Sequence, residues 1–383
     1  MIVKRKIVVT TGSRADYGIL RQVLKEIRSS KKLDLYLIVT GMHLSKKHGS
    51  TINEIKNDGF KIQASFKMLP KDDSMYSMAN ALGSGIISFT TVFRKIKPDI
   101  NVVFGDRDEM LASALAAYHM NIPNAHIHGG DKTQGGIDEY NRHALTKISN
   151  IHFAATKKSK DRIIKMGEDP KYVFLTGSPS IDEILANKVT DKNILQQKFT
   201  LNLDGSEILL LYHPVTTQSE QSGKQILNIL NTITKMKKPI IAISPNSDAG
   251  SEMIFKYLKL YSTKYNFLQI HPSVPRSDFL GLLKHCAVLI GNSSSGIIEA
   301  SCFDIPVVNI GIRQKDREKG HNVIEVTDAS PSNIRKAILS ALRAKNKSTK
   351  DLIYGNGTAS KKIVKHLERI KLDTKLIQKQ IYY

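Results

Sequence analysis

The densest collection of acids, histidines and arginines in the chain lies between Val102 and His143, in the stretch VVFGDRDEMLASALAAYHMNIPNAHIHGGDKTQGGIDEYNRH. Asp106, His128, Asp131, Asp138 and Glu139 are side chains that take up and release protons, and Arg107 and Arg142 are side chains that hold anions. Acid–base work on a charged small molecule is the chemistry such a set can do. Part of it has a second use: His126 and His128 alternate along one strand and, with Asp131 and His143, could ligate zinc, although the spacing matches none of the compact zinc patterns.

Two successive strand ends must deliver these groups. Val102, Val103 and Phe104 form an apolar run that stops at Gly105, and an Ala/Leu-rich helical pattern follows from about Glu109 to Tyr118. Asp106 and Arg107 therefore sit at a strand's carboxyl end, the edge where open α/β sheets bind ligands, with Asp106 placed to cap the helix. Asn124 to Ile127 is a second strand, ending in His128-Gly129-Gly130-Asp131. Asp138 and Glu139 open the helix after it, with Arg142 and His143 in its first turns.

The same alternation fills the rest of the chain. Lys6 to Thr11 is a strand, followed by a turn through Arg14 and Asp16 and a helix from Tyr17 to Ile27. The strand from Asp34 to Thr40 ends at His43. In the second half, Ile208 to Leu211 leads to His213, Pro239 to Ile243 leads to Asn246, and Phe267 to Ile270 leads to His271. Strands alternating with helices at this spacing predict parallel sheets with helices on both faces. The expected architecture is α/β, two doubly wound Rossmann-like domains facing each other across a cleft. Glycine and proline around Gly177 and Pro179 set the expected boundary, giving domains at 1–178 and 179–358, with a basic helix at 359–383 packing back across the join.

A second kind of site is read at Gly291-Asn292-Ser293-Ser294-Ser295-Gly296, between a strand and a helix. Backbone N–H groups and the helix positive end would form an anion cradle there, with the Ser293 and Ser294 hydroxyls as further donors. Glu299 is expected one turn and a half into that helix, where a carboxylate accepts from vicinal ribose hydroxyls. Arg14 and Arg313 supply guanidinium forks suited to a diphosphate. The pattern lacks the Walker lysine and the three-glycine fingerprint, so neither an ATPase nor a dehydrogenase is favoured.

Composition narrows the class further. At 383 residues, with 41% apolar and 24% charged residues, the chain is that of a globular protein large enough for two domains. The net charge of +22 attracts polyanions, but no nucleic-acid motif or aromatic stacking platform accompanies it, so no nucleic acid is expected as partner. The two cysteines, Cys286 and Cys302, have neither metal nor redox spacing. The start MIVKRK runs straight into a strand, and no stretch approaches a membrane span in length, so a cytoplasmic protein without membrane attachment is expected.

With these motifs in hand, the chain resembles the hydrolysing UDP-N-acetylglucosamine 2-epimerases of sialic-acid-type sugar biosynthesis. The matching segments are TGSRADYGIL at Thr11 to Leu20, GMHL at Gly41 to Leu44, KPDI with GDR at Lys97 to Arg107, HIHGGD with RHALTK at His126 to Lys147, HPVTT at His213 to Thr217, PNSDAG at Pro245 to Gly250, GNSSSG with Glu299, and IRQ at Ile312 to Gln314. They run in the family's order over nearly the whole chain. The resemblance implies a glycosyltransferase-B type fold, no metal or redox cofactor, and a homodimer or homotetramer. It implies nucleotide binding by Arg14, Ser293, Ser294, Glu299 and Arg313, and chemistry by Asp106, the acids from Asp131 to Glu139, and His213. Asp16, His43, Arg107, Arg142, Asn246 and His271 are further expected contacts to the UDP-sugar. One position departs from the pattern: where relatives have a catalytic Glu in HIEGG, this chain has His128, so either His128 is the acid/base or Asp131, Asp138 or Glu139 takes that part.

The chemistry so implied begins at the anomeric carbon, because carbon 2 of an N-acetylhexosamine is not acidic until that bond starts to break. UDP departs, a carboxylate removes the carbon 2 proton to give a 2-acetamidoglucal, and water adds at carbon 1 while an acid protonates the opposite face of carbon 2. The products are UDP and free N-acetylmannosamine or its analogue. Other readings are an epimerase for UDP-2,4-diacetamido-2,4,6-trideoxyglucose in legionaminic acid synthesis, a non-hydrolysing epimerase, a UDP-sugar glycosyltransferase, and a binding protein without turnover.

Overall fold

The computed structural model describes all residues except 1–2, 47–48, 73, 135, 187, 246–247 and 345–350. Two compact units divide the chain: the first is Met1–Asp131, Asp138–Leu185 and Tyr354–Tyr383, the second Lys132–Ile137 and Ala186–Ile353.

The first unit is a wholly parallel sheet. In chain order its elements are β1 (Arg5–Thr11), α1 (Arg14–Ser29), β2 (Leu33–Val39), α2 (Ile52–Asn57), β3 (Ile62–Ser65), α3 (Met75–Ile96), β4 (Ile100–Phe104), α4 (Asp108–His119), β5 (Asn124–Ile127), α5 (Ile137–Lys147), β6 (Ile151–Ala154), α6 (Lys157–Lys165), β7 (Val173–Leu175) and α7 (Pro179–Leu185). The strand order is β3-β2-β1-β4-β5-β6-β7. Ile7, Val8 and Val9 of β1 are all fully buried, as a central parallel strand covered on both faces requires. Ile7 and Val9 join the core that holds Leu20, Val23, Leu24 and Ile27 of α1, whereas Val8 faces the opposite core with Phe89 and Phe93 of α3.

The second unit repeats the plan with α8 (Lys192–Phe199), β8 (Ile208–Leu211), α9 (Ser222–Ile233), β9 (Ile240–Ile243), α10 (Ser251–Lys264), β10 (Leu268–His271), α11 (Arg276–His285), β11 (Val288–Gly291), α12 (Ser294–Ile298), β12 (Val307–Ile310), β13 (Val323–Val326) and α13 (Pro331–Ala344). Its parallel order is β10-β9-β8-β11-β12-β13. The chain then returns to the first unit, where α14 (Ala359–Arg369) packs on α1 and α7 and is followed by α15 (Thr374–Ile377). Among the described residues no helix is long and apolar enough to cross a membrane.

In each sheet the winding direction reverses once, between β1 and β4 and between β8 and β11. Loops leaving the carboxyl ends on either side of such a reversal diverge and leave room for a ligand. The loops concerned carry Gly12 to Asp16 and Asp106 to Arg107 in the first unit, and His213 and Asn292 to Ser294 in the second.

Candidate functional site

Arg142 organises the acids of the first unit. Its side chain, only 3% exposed, comes from α5 and pairs with the Asp106 carboxylate beyond β4. Its Nη1 donates to the Asp131 carbonyl at 3.1 Å and approaches Glu139 Oε2 at 3.4 Å. A buried guanidinium requires counter-charge and acceptors on its donors, and these three residues supply them. The expected capping role of Asp106 is therefore corrected: Arg107 occupies the N-cap of α4, no side chain caps the helix, and Asp106 is drawn to Arg142 instead. Glu139 also bonds His143 Nε2 at 3.0 Å, and Asp138 sits half-buried in the first turn of α5.

A second group lies beyond β5. His128, 3% exposed, leaves the strand in the left-handed region with φ +66°, so it does not continue the strand face of His126. Its Nδ1 lies 3.0 Å from Asp131 Oδ2, and the other carboxylate oxygen accepts from Ser159 Oγ at 2.7 Å. His126 turns away to bond the Gly105 carbonyl through Nε2 at 2.7 Å, and burial pushes its pKa down to about 3. Among the described residues no group of three or more His, Cys, Asp or Glu is placed to hold a metal ion.

The carboxyl ends of β1 and β2 meet at Glu109, a residue the sequence reading passed over as a helix position. Glu109 is 3% exposed and pairs with Arg107 at 3.1 Å. A Cβ at Gly12 would come within 2.7 Å of its carboxylate, and one at Gly41, where φ is +59°, would collide with it. Close approach of the carboxylate to two loops is the signal in TGSR and GMH, legible only once the sheet order is known. Beside it, burial pushes Asp16 up to about 6 against the pull of Arg107, with the Glu109 charge adding to the rise. His43 has both ring nitrogens engaged, by Thr11 Oγ1 at 3.0 Å and Thr51 Oγ1 at 2.6 Å, and burial followed by Arg14 lowers it to about 3. Arg14 pairs with Glu54 on α2 at 2.8 Å.

In the second unit Asn292, fully buried, ties three loops together. Its side chain accepts from the His213 N–H and donates to the His213 carbonyl, each at 2.8 Å. Its own carbonyl receives Gln314 Nε2 at 3.1 Å and Arg313 Nη1 at 3.3 Å. Ser293 caps α12, its hydroxyl accepting from Ser295 N–H at 3.3 Å, and Ser294 is half-buried beside it. The helix is shorter than expected. It has 5 residues, and Glu299 is its C-cap rather than an interior position. Glu299 Oε1 pairs with Arg276 Nη1 at 2.6 Å, with side-chain exposures of 2% and 7%. Glu299 Oε2 is buried and takes no hydrogen bond from any described residue. Arg276 and Asn292 were not singled out as site residues in the sequence, since each reads there as an ordinary helix or loop position. His271 is half-buried against Phe199, with its pKa lowered by burial. Asn246 lies outside the described residues.

Two doubly wound units with polar groups gathered at their reversal points define a two-unit α/β protein of the glycosyltransferase-B type. The chain belongs to the UDP-N-acetylglucosamine 2-epimerase family, whose model matches residues 25–368. It is 39% identical over 98% of both chains to a UDP-N,N'-diacetylbacillosamine 2-epimerase (hydrolyzing) of Legionella pneumophila. It is 32% identical over 92% of both to a UDP-N-acetylglucosamine 2-epimerase of Neisseria meningitidis serogroup B. A crystal structure of UDP-GlcNAc 2-epimerase from Neisseria meningitidis bound to UDP-GlcNAc superposes with a TM-score of 0.78 at 20% identity, covering 94% of this chain and 99% of that one.

Proposed function

We propose that the protein is a hydrolysing 2-epimerase that converts a UDP-linked 2-acetamido sugar to UDP and the free 2-epimer. The observation that carries this reading is the separate holding of two acid–base groups in the first unit: Asp106 on buried Arg142, and His128 on Asp131. Inversion at carbon 2 needs a group on each face of the ring. The Asp106 carboxylate, held in place by the guanidinium, serves as base. The His128 imidazole, bonded to the Asp131 carboxylate, serves with it on the other face. Glu139 shares the Arg142 guanidinium with Asp106, and Asp138 precedes it in the first turn of α5.

The second unit supplies the nucleotide contacts in this reading. Glu299 Oε2, buried without a donor, is completed by ribose hydroxyls. Ser293, Ser294, Arg313 and His213 meet the diphosphate, and their fixed dipoles and charge stabilise departing UDP. Arg14, Arg107 and His271 add charge and hydrogen-bonding groups at the strand ends.

The names of the relatives support two sugars, one with an acetamido group at carbon 2 only and one carrying two acetamido groups. The higher identity to the relative named for the diacetylated sugar is the observation that makes it the second substrate to test. Incubation of the protein with each UDP-sugar alone in deuterated water decides the reaction. The expected products, identified by NMR, are UDP and a free 2-epimer carrying deuterium at carbon 2. Release of a nucleotide-linked epimer, or of UDP only when a sugar acceptor is added, would sink the hydrolysing reading.

A further inference from the structure

His128 has a second partner besides Asp131. Its Nε2 lies 2.8 Å from the hydroxyl of Ser178, in the loop beyond β7. Ser178 is 1% exposed, and its backbone N–H donates to the Tyr354 carbonyl at 2.7 Å. The same hydroxyl lies 2.8 Å from Ser180 Oγ. Ser178, His128 and Asp131 thus form one buried line of hydrogen bonds, extended at the far end by Ser159 and Thr156.

The order of serine, imidazole and carboxylate is that of a nucleophilic triad, but the Ser178 N–H is already committed to the Tyr354 carbonyl and offers no oxyanion donor, which excludes that use. What remains is proton handling. An ionised carboxylate only accepts, so the proton on Nδ1 points at Asp131 and Nε2 faces Ser178. A hydroxyl both donates and accepts, so it keeps its bond to Nε2 whether the ring is neutral or charged. A carbonyl partner, such as Gly105 offers His126, suits only a ring nitrogen that carries its proton. The charged and titratable groups around His128 are Asp131 on its own loop, His126 on β5, Arg142 on α5 at the Asp131 carbonyl, and Arg162 on α6 at the Gly130 carbonyl.

We propose that Ser178 positions His128 and relays its proton in the hydration half of the reaction, a role that rests on the 2-epimerase reading. In that step the water oxygen bonds to carbon 1 of the glycal. The carbon 1–carbon 2 electron pair closes on the proton released by the Ser178 hydroxyl, and His128 Nε2–H refills the hydroxyl. The proton lost by the water returns to the imidazole. Departure of UDP and removal of the first proton, assigned to Asp106, do not use the relay.

The test measures UDP, glycal and free sugar separately across pH for wild type, Ser178→Ala, Ser178→Thr and His128→Asn. Asparagine is chosen at 128 because it tolerates the left-handed backbone there. Ser178→Ala is expected to bind UDP within twofold of wild type, to release UDP, and to form free sugar about 100-fold more slowly, so that glycal accumulates. Ser178→Thr restores free sugar, and His128→Asn accumulates glycal as Ser178→Ala does. A wild-type ratio of glycal to free sugar in Ser178→Ala or His128→Asn overturns the relay, as does an equal loss of UDP release and free sugar. Failure of wild type to release UDP would instead strike the 2-epimerase reading.

Discussion

Replacing Arg142 by methionine probes the arrangement at its centre, because one side chain holds Asp106, Asp131 and Glu139. A hydrogen bond to a charged group contributes about 1.5–3 kcal/mol, and stripping one partner from a fully buried pair costs about 3–5 kcal/mol. Here the cost is discounted, since the Asp106 and Glu139 side chains are 20% and 25% exposed and can turn toward water. The Asp131 carbonyl cannot. A loss of about 3 kcal/mol is expected for Arg142→Met, read from urea unfolding at neutral pH. Arg142→Lys keeps the charge without the fork and should lose about half as much. Activity should fall more steeply than stability, by about 100-fold or more in kcat for UDP release, because Asp106 is freed from its position. UDP affinity should stay within a few fold, since the proposed nucleotide contacts lie mainly in the second unit. An Arg142→Met protein within about 1 kcal/mol of wild type, releasing UDP at a comparable rate, would refute the reasoning.

Gly41→Ala should lower the melting temperature strongly or prevent folding, because the left-handed backbone and the Glu109 carboxylate leave no place for a methyl group; a soluble variant with an unchanged melting curve would contradict this. His43 and His126 both have native pKa values lowered to about 3, so below about pH 6.5 the unfolded chain binds more protons and stability must fall with falling pH, by about 1.4 kcal/mol per unit for each ring. Asp16, raised to about 6, acts with the opposite sign: its contribution is present below its unfolded value and lost as pH rises through 6, so it cancels roughly one ring between pH 4 and 6. Urea unfolding at pH 7, 6 and 5 should therefore show a steeper acid loss in Asp16→Asn than in wild type. Glu299→Gln should weaken UDP binding about tenfold by calorimetry while leaving 2',3'-dideoxy-UDP binding nearly unchanged, and equal losses for both ligands would separate Glu299 from the ribose.

The architecture was readable because its strands are buried on both faces, so β1, β4 and β8 appear as short apolar runs between helical patterns. What escaped were elements without that signature. β13 is a half-exposed edge strand interrupted by Glu325, and α7 begins at Pro179, where proline reads as punctuation although it is well suited to a helix's first turn. The length of α12 was overestimated for a related reason: Ser293 announces the start of a helix, but a turn of 3-10 helix from Ala300 to Phe303 replaces its continuation.

Site residues were legible to the extent that topology fixes them, since every parallel strand sends its carboxyl-end loop to one edge. Their partners were not, because a pairing such as Arg142 with Asp106 joins two loops whose distance depends on sheet order. Partner choice is what separates residues that look alike in the sequence. Asp106, Asp131 and Asp16 are three aspartates just past strands, yet one is held by a guanidinium, one by an imidazole, and one is buried with its pKa raised to about 6. Groups whose surroundings push their proton affinities apart can divide the labour of acid and base. The sequence offers the carboxylates, and the fold, through Arg142, His128 and Glu109, decides which partner each of them meets.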